Sequence, residues 1–170
     1  ESGGKFYGMT VSGGSSDGGV IFEYDPVGSG SYADKHHFDI ANGLYPQGSL
    51  IESGGKFYGM TAYGGSSGAG VIFEYDPAGS GTYTVKHEFD FNSGANPFGS
   101  LIGSGGKFYG MTAYGGSSGA GVIFEYDPGG SGTYSVKHEF DITDGANPNG
   151  SLIKSGSKFY GVTILGGSLG

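Results

Sequence analysis

The segment Lys-Phe-Tyr-Gly recurs along this chain with a constant spacing of 51 residues. It begins at four lysines, Lys5, Lys56, Lys107 and Lys158. The second and third copies of the repeat differ at only eight positions. Such a chain folds as copies of one small unit, each of which needs its neighbours to bury its apolar surface. We therefore interpret residues 1–170 as a single repeat array with units 5–55, 56–106 and 107–157 and a partial unit 158–170.

Each unit contains four short segments with strand character, which the second unit shows at 49–51, 56–61, 71–77 and 82–90. The turn predicted at 52–55 ends in two glycines, which supply the positive φ of a tight hairpin. Tyr83, Val85, His87 and Phe89 alternate with polar residues, as in a strand with one solvated face. No segment has helical periodicity. We predict an all-β chain, a β-propeller-type array of four-stranded antiparallel blades with three full repeats and a partial fourth.

The order of these motifs resembles two kinds of repeat. A Gly-Lys-Phe-Tyr strand before a double glycine, followed by a strand ending in Tyr-Asp-Pro, resembles kelch-type blades, although Tyr83 and Phe89 stand where those blades usually carry Trp. Residues 55–77 and 97–102 resemble more closely the GloVer-type tandem repeats of bacterial secreted and surface proteins. This resemblance implies an extracellular or cell-surface location in a bacterium, and it brings no known activity with it.

Charge and composition exclude several classes of partner. Eight lysines oppose 16 acidic residues and there is no arginine, so the net charge is −8. Such a surface repels phosphate backbones and lacks the guanidinium groups that read bases, so we expect no nucleic-acid partner. No apolar run reaches 18 residues, so we expect no membrane span. The absence of cysteine excludes thiolate chemistry and cysteine metal sites.

Glu74 and Asp76 lie two residues apart on one strand and are the most suggestive carboxylate pair. Paired carboxylates can act as acid and base, but this pair recurs in all three complete units. A working active site instead brings unlike residues to one place. We therefore expect no catalytic residue and no enzyme, with these carboxylates pairing with lysines or capping the turn at Pro77. The histidines of the fourth strand, His36, His87 and His138, are interpreted as packed side chains.

Side chains with oxygen ligands precede a glycine in each unit. They are Asp39, Asn42, Asp90, Asn92, Asp141 and Asp144. Calcium loops place hard oxygens on a tight turn in this way, so calcium is the one possible cofactor. The pattern lacks a distal bidentate glutamate and its middle positions vary between units, so Asx turns are the alternative.

Tyr63 and Tyr114 precede glycine-rich loops and are the candidate ligand-binding residues. Exposed aromatic rings beside such loops can stack on sugars. The alternative interpretation is that both rings pack between blades.

A closed propeller needs four or more blades, and three repeats with a partial fourth are too few. An open array leaves unpaired strand edges and bare blade faces, which favour association. We therefore expect a non-enzymatic extracellular structural protein that self-associates through open blade edges into a ring or surface filament, unless the chain is an excerpt of a longer propeller. The alternative is a multivalent carbohydrate-binding, lectin-like propeller module. The expected partners are thus further copies of the chain and, in the alternative, glycans.

Overall fold

A computed structural model describes residues 2–129 and 132–167 of the chain, and these form fifteen short β-strands without a helix. The all-β prediction is confirmed. Residues 168–170, the end of the predicted partial unit, lie outside the described residues. Across the described ranges there is no helix of the length and apolarity needed to cross a bilayer.

Each of three antiparallel sheets pairs its strands in chain order, and the first strand of the second and third sheets comes from the end of the preceding unit. The first sheet contains β1 (Phe6–Thr10), β2 (Val20–Asp25) and β3 (Ser31–His37). The second contains β4 (Ile51–Ser53), β5 (Lys56–Thr61), β6 (Val71–Asp76) and β7 (Thr82–Glu88). The third contains β8 (Ile102–Ser104), β9 (Lys107–Thr112), β10 (Val122–Asp127) and β11 (Thr133–Glu139). In the first unit a single bridge between Ser2 and Lys5 takes the place of the first hairpin.

The last part of the chain forms two small pairs of strands. They are β12 (Ala146–Pro148) with β15 (Thr163–Leu165), and β13 (Ile153–Ser155) with β14 (Lys158–Tyr160). The prediction of four-stranded antiparallel sheets is confirmed for the second and third units. The sheets of the described residues do not close into a ring, and the propeller arrangement itself stays a prediction.

The first hairpin of each unit turns more tightly than predicted. Ser53 pairs with Lys56, so only Gly54 and Gly55 form the turn, with φ of 63° and 79°. Two successive residues with positive φ are the signature of a two-residue hairpin that matches the twist of its strands. The predicted strand 49–51 and turn 52–55 were therefore wrong at their boundary by two residues.

The sheets pack face to face, and the core lies between them. Between the first and second sheets the buried side chains are Ile21, Phe38, Phe57, Val71, Phe73 and Tyr75. Between the second and third sheets they include Tyr58, Met60, Ile72, Phe89, Phe108, Val122, Phe124 and Tyr126. Successive residues of β5 point to opposite faces, so Phe57 packs against the preceding sheet and Tyr58 against the following one. Each inner sheet is thus apolar on both faces.

Backbones of successive units contact directly at three equivalent glycines, Gly48, Gly99 and Gly150, which we call the glycine row. The amide of Ser49 donates to Ser100 Oγ over 2.8 Å, and the amide of Ser100 donates to Ser151 Oγ over the same distance. A Cβ added to Gly99 would lie 2.5 Å from the carbonyl carbon of Gly150 and closer still to its oxygen. The glycine row therefore permits a spacing between units that a side chain would prevent.

Candidate functional site

Among the described residues, one face of the first sheet is not covered by another sheet. The equivalent face of each following sheet is buried against the sheet before it. The uncovered face, which we call the open face, consists of Phe6, Phe22, Tyr24 and Tyr32. Phe6 is 48% exposed, and its equivalent Phe57 is 2% exposed. Tyr24 is 42% exposed, and its equivalent Tyr75 is 1% exposed. The same side chain is therefore core in one unit and surface in another, depending on whether a sheet packs against it.

Inside the array, the equivalents of the open face are covered by the opposite face of the preceding sheet. The ring centroid of Tyr7 lies 4.6 Å from that of Phe57, and the centroid of Phe38 lies 5.4 Å from that of Phe73. We call the contact between two successive sheets a joint. The joint between the second and third sheets repeats these contacts, with centroid distances of 4.8 Å between Tyr58 and Phe108 and 5.4 Å between Phe89 and Phe124. The two joints are one interface used twice.

A histidine–tyrosine stack completes each joint. The ring of His36 lies parallel to that of Tyr83 with centroids 3.7 Å apart, and His87 lies parallel to Tyr134 at 3.9 Å. Burial lowers the pKa of both His36 and His87, because the charged imidazolium would lose its hydration. The interpretation of these two histidines as packed side chains is confirmed.

The tyrosine of each stack also anchors the loop of the unit before it. The Tyr83 hydroxyl donates to the carbonyl of Asn42 over 2.5 Å, and the Tyr134 hydroxyl donates to the carbonyl of Ser93 over 2.8 Å. A buried hydroxyl needs such a partner, so this bond fixes how one sheet is placed on the next. The joint thus combines non-directional apolar packing with a directional hydrogen bond.

His138 of the third unit has no stacked tyrosine among the described residues and is exposed, so the interpretation of this histidine as a packed side chain is wrong. His138 Nε2 lies 2.9 Å from Asp144 Oδ2, and both side chains are well exposed. Beyond it the partial unit exposes Tyr160 and Val162, which we call the far face. Their equivalents in the second unit, Tyr58 and Met60, are buried. The far face therefore carries the half of the joint that fits an open face.

A carboxylate lies buried within each sheet among groups of opposite charge. Glu74 accepts hydrogen bonds from Lys56 Nζ at 2.8 Å and from the Tyr58 hydroxyl at 2.6 Å, and Lys86 Nζ lies 3.8 Å away. Asp76 Oδ1 accepts from the amide of Ala78, which caps the turn after the strand. The prediction that these carboxylates pair with lysines or cap a turn is confirmed.

These carboxylates make the stability of the fold dependent on acid pH. Hydrogen bonds from Lys5 and Tyr7 lower the pKa of Glu23 to about 2, and those from Lys107 and Tyr109 lower the pKa of Glu125 to about 2. An unfolded glutamate titrates near 4.5, so the stabilisation is fully present above that pH and is lost as the pH falls towards 2. We expect the melting temperature to drop across that window, and to drop less steeply in Glu125→Gln. Circular dichroism melts at steps of half a pH unit measure both slopes, and parallel slopes would contradict the assignment.

The predicted calcium ligands form tight turns. Asp39 Oδ1 accepts from the amides of Ala41 and Asn42, and Asp90 Oδ1 accepts from the amides of Asn92 and Ser93. The third unit repeats the turn with Asp141, Thr143 and Asp144. The Asx-turn alternative is confirmed by these bonds. In the described part of the chain no three acidic or histidine side chains group around a common point, and calcium binding at these turns stays a prediction.

Both predicted ligand-binding tyrosines point their rings outwards. Tyr63 is 42% exposed and Tyr114 is 46% exposed, while their backbones bridge to the preceding unit at Leu44 and Ala95. Packing between blades, the alternative interpretation, stays a prediction, and the ring of Tyr63 lies 6.1 Å from that of Tyr45 in the preceding unit. Their backbones do join two units, which leaves the rings on the surface above each joint.

The surroundings of the two tyrosines differ, because the repeats differ there. The ring of Tyr63 lies between Tyr45 at 6.1 Å and Phe98 at 6.2 Å, and the three form what we call the aromatic row. At Tyr114 the equivalent positions are Asn96 and Asn149. Tyr45 and Phe98 were missed by the sequence reasoning, which followed what the units share. Both occupy positions where the units differ, and that difference in sequence could have identified them as candidate site residues.

Comparison with protein-family models gives a match over the chain. A family model described as the Gloeobacter/Verrucomicrobia repeat matches residues 1–170. No curated protein is significantly similar to the chain. The match bears out the GloVer resemblance carried by residues 55–77 and 97–102, and it assigns no activity.

Proposed function

This chain belongs to the Gloeobacter/Verrucomicrobia repeat family, and we propose that its function is structural: copies of the chain associate by packing an open face onto a far face. In this proposal the chain is not an enzyme, and it acts outside the bacterial cell or on its surface. The observation that carries the proposal is the burial difference between equivalent residues, since Tyr24 is 42% exposed and Tyr75 only 1%. Association would give the first sheet the environment that the second already has.

The internal joints support a second copy as the occupant of the open face. They show which surface fits these aromatic side chains, namely the side of a repeat that carries Tyr7 and its equivalents Tyr58, Tyr109 and Tyr160. In the described residues this side is exposed at Tyr160, buried at Tyr58 and half-buried at Tyr7 and Tyr109, where the following unit packs against it. An exposed apolar patch on one end and its complement on the other favour head-to-tail contact. We therefore propose association through sheet faces in place of the blade edges expected from the sequence.

The form of the assembly follows from the geometry of this contact. A head-to-tail contact uses two different surfaces, so it yields a closed ring if successive rotations complete a circle and a filament if they do not. Both forms use the same joint and bury the same side chains. Negative-stain images of the associated species would distinguish them directly.

Substitution of the open face tests the proposal. We expect the unaltered chain to show a weight-average mass that rises with concentration in sedimentation velocity, and Phe6→Ala with Tyr24→Ala to remain monomeric. Because both side chains are exposed in the monomer, its melting temperature should change little. Phe91→Ala is the control, since Phe91 is an exposed aromatic residue outside both faces. A monomeric unaltered chain at all concentrations, or equal association of all three proteins, would contradict the proposal.

A further inference from the structure

We propose that the aromatic row, Tyr45, Tyr63 and Phe98, is a binding site for an uncharged saccharide, independent of the self-association described above. The site occurs once in the described residues, where the first and second units meet. This differs from a multivalent lectin, because the equivalent positions above the next joint carry asparagine in place of the two flanking rings.

The backbone of Tyr45 is in a strained conformation. Tyr45 has φ of 57°, in the left-handed region that aromatic residues rarely adopt. The equivalent residues Asn96 and Asn147 have φ of 56° and 54°, and asparagine tolerates this conformation. Strained residues of this kind concentrate at functional sites. An exposed tyrosine in this conformation therefore points to a role for the ring itself.

A hydrogen bond is also missing at this position. Asn96 Nδ2 donates to the carbonyl of Ala62 at 2.9 Å, and Asn147 Nδ2 donates to the carbonyl of Ala113 at 3.0 Å. The equivalent carbonyl in the first unit belongs to Val11, and a tyrosine side chain has no amide to donate to it. Tyr45 thus replaces a residue that would add a hydrogen bond within its own unit, and what it contributes instead is an exposed ring.

The three rings form a row above the joint. Tyr45 and Tyr63 meet at an interplanar angle of 80°, and Tyr63 and Phe98 meet at 62°. Edge-on contacts of this kind hold the central ring in place while 42% of Tyr63 stays exposed. The electron-rich face of an aromatic ring attracts polarised C–H groups, and the apolar face of a pyranose presents several of them.

The segments that carry the rings determine which ligand they suit. Residues 41–48, 61–70 and 94–100 contain no charged side chain. The charged group bonded to these segments is the carboxylate of Glu88, which accepts from Ser66, and together with the net charge of −8 it disfavours an anionic ligand. The hydroxyl of Ser67 and the two tyrosine hydroxyls can donate and accept hydrogen bonds. A neutral sugar, apolar on its ring faces and rich in hydroxyls, is the chemistry that fits.

The test titrates neutral oligosaccharides into the chain carrying Phe6→Ala and Tyr24→Ala, so that association does not interfere. The probes are maltohexaose, cellohexaose, xylohexaose and mannohexaose. Binding is measured by isothermal titration calorimetry and by tyrosine fluorescence, which is not masked because the chain has no tryptophan. We expect at least one probe to bind, and Tyr63→Ala and Phe98→Asn to weaken its binding about tenfold or more. Tyr114→Ala is the matched control, an equally exposed tyrosine without flanking rings, and it should bind as the parent does.

Tyr45→Asn gives the sharpest result, because two readouts should move in opposite directions. Asparagine restores the residue of the other units, so the melting temperature should rise by a few degrees while saccharide binding weakens about tenfold. Binding unchanged by Tyr45→Asn, an equal loss in Tyr114→Ala, or no binding of any of the four probes would each overturn the proposal. Because the rising melting temperature shows that the variant is folded, lost binding cannot be ascribed to unfolding.

Discussion

Replacing Phe73 with alanine is expected to lower the free energy of unfolding by about 3–5 kcal/mol, the usual cost of removing a fully buried phenylalanine. Phe73 is wholly buried between the first and second sheets, 5.4 Å from Phe38 and 5.2 Å from Tyr83 between ring centroids. The cavity would lie inside the joint, so the loss should weaken the contact between two units as well as one sheet. Chemical denaturation followed by circular dichroism measures the change.

The chain contains its own control for this prediction. Phe22 occupies the same place in the first unit, but on the open face, so Phe22→Ala should cost less than half as much. Both variants remove the same atoms from the same sequence context. Equal losses at a protein concentration where the chain is monomeric would contradict the assignment of the open face.

Gly99→Ala is expected to destabilise the chain by about 3 kcal/mol, the upper end of typical overpacking costs. The added methyl group would meet the backbone of Gly150, which cannot move aside as a flexible side chain could. Relief of the overlap requires the segment at Gly99, which leads into the third sheet, to separate from the segment at Gly150, which leads into the C-terminal strand pair β13 and β14. We expect a clearly lower melting temperature by calorimetry, together with earlier loss of the C-terminal strands in hydrogen exchange.

Gly103→Ala is the matched control for the glycine row. The nearest atom to a Cβ at Gly103 is the flexible Cδ1 of Ile51 at 3.3 Å, and the equivalent residues are Glu52 and Lys154. This substitution should change stability by about 0.5 kcal/mol or less. If Gly99→Ala were equally mild, direct backbone contact would not set the spacing between units.

The strands within one unit could be predicted because their signals are local. Alternation of Tyr83, Val85 and His87 identified β7, and the double glycine identified the hairpin between β4 and β5. The boundary of β4 was misplaced because Glu52 and Ser53 are ordinary turn residues by type. Their pairing with Phe57 and Lys56 depends on a turn that uses only two residues.

Contacts between units could not be predicted in the same way. The pairing of β12 with β15 joins residues of two successive units, and a repeating sequence does not say which parts of neighbouring copies touch. The sequence could not predict the open face for the same reason. Phe22 and Phe73 have identical neighbours in sequence, Ile before and Glu after, so nothing local distinguishes the exposed position from the buried one. The aromatic row was missed because Tyr45 and Phe98 are exceptions to the repeat, and their meeting at Tyr63 is a property of the folded joint.

The identical register of the sheets has a consequence for how the chain finds its native connections. Phe57 lies opposite Tyr75 in the second sheet just as Phe108 lies opposite Tyr126 in the third, with the same residues along both pairs of strands. A strand that paired with its counterpart in the wrong repeat, or in another molecule, would make the same contacts. What separates the correct pairing from the exchanged one is largely the entropy of closing a longer loop, about 0.6 kcal/mol for each doubling of its length. Short connections between strands therefore favour pairing within one sheet over exchange between repeats of the same chain, which differences in sequence exclude in a non-repetitive protein.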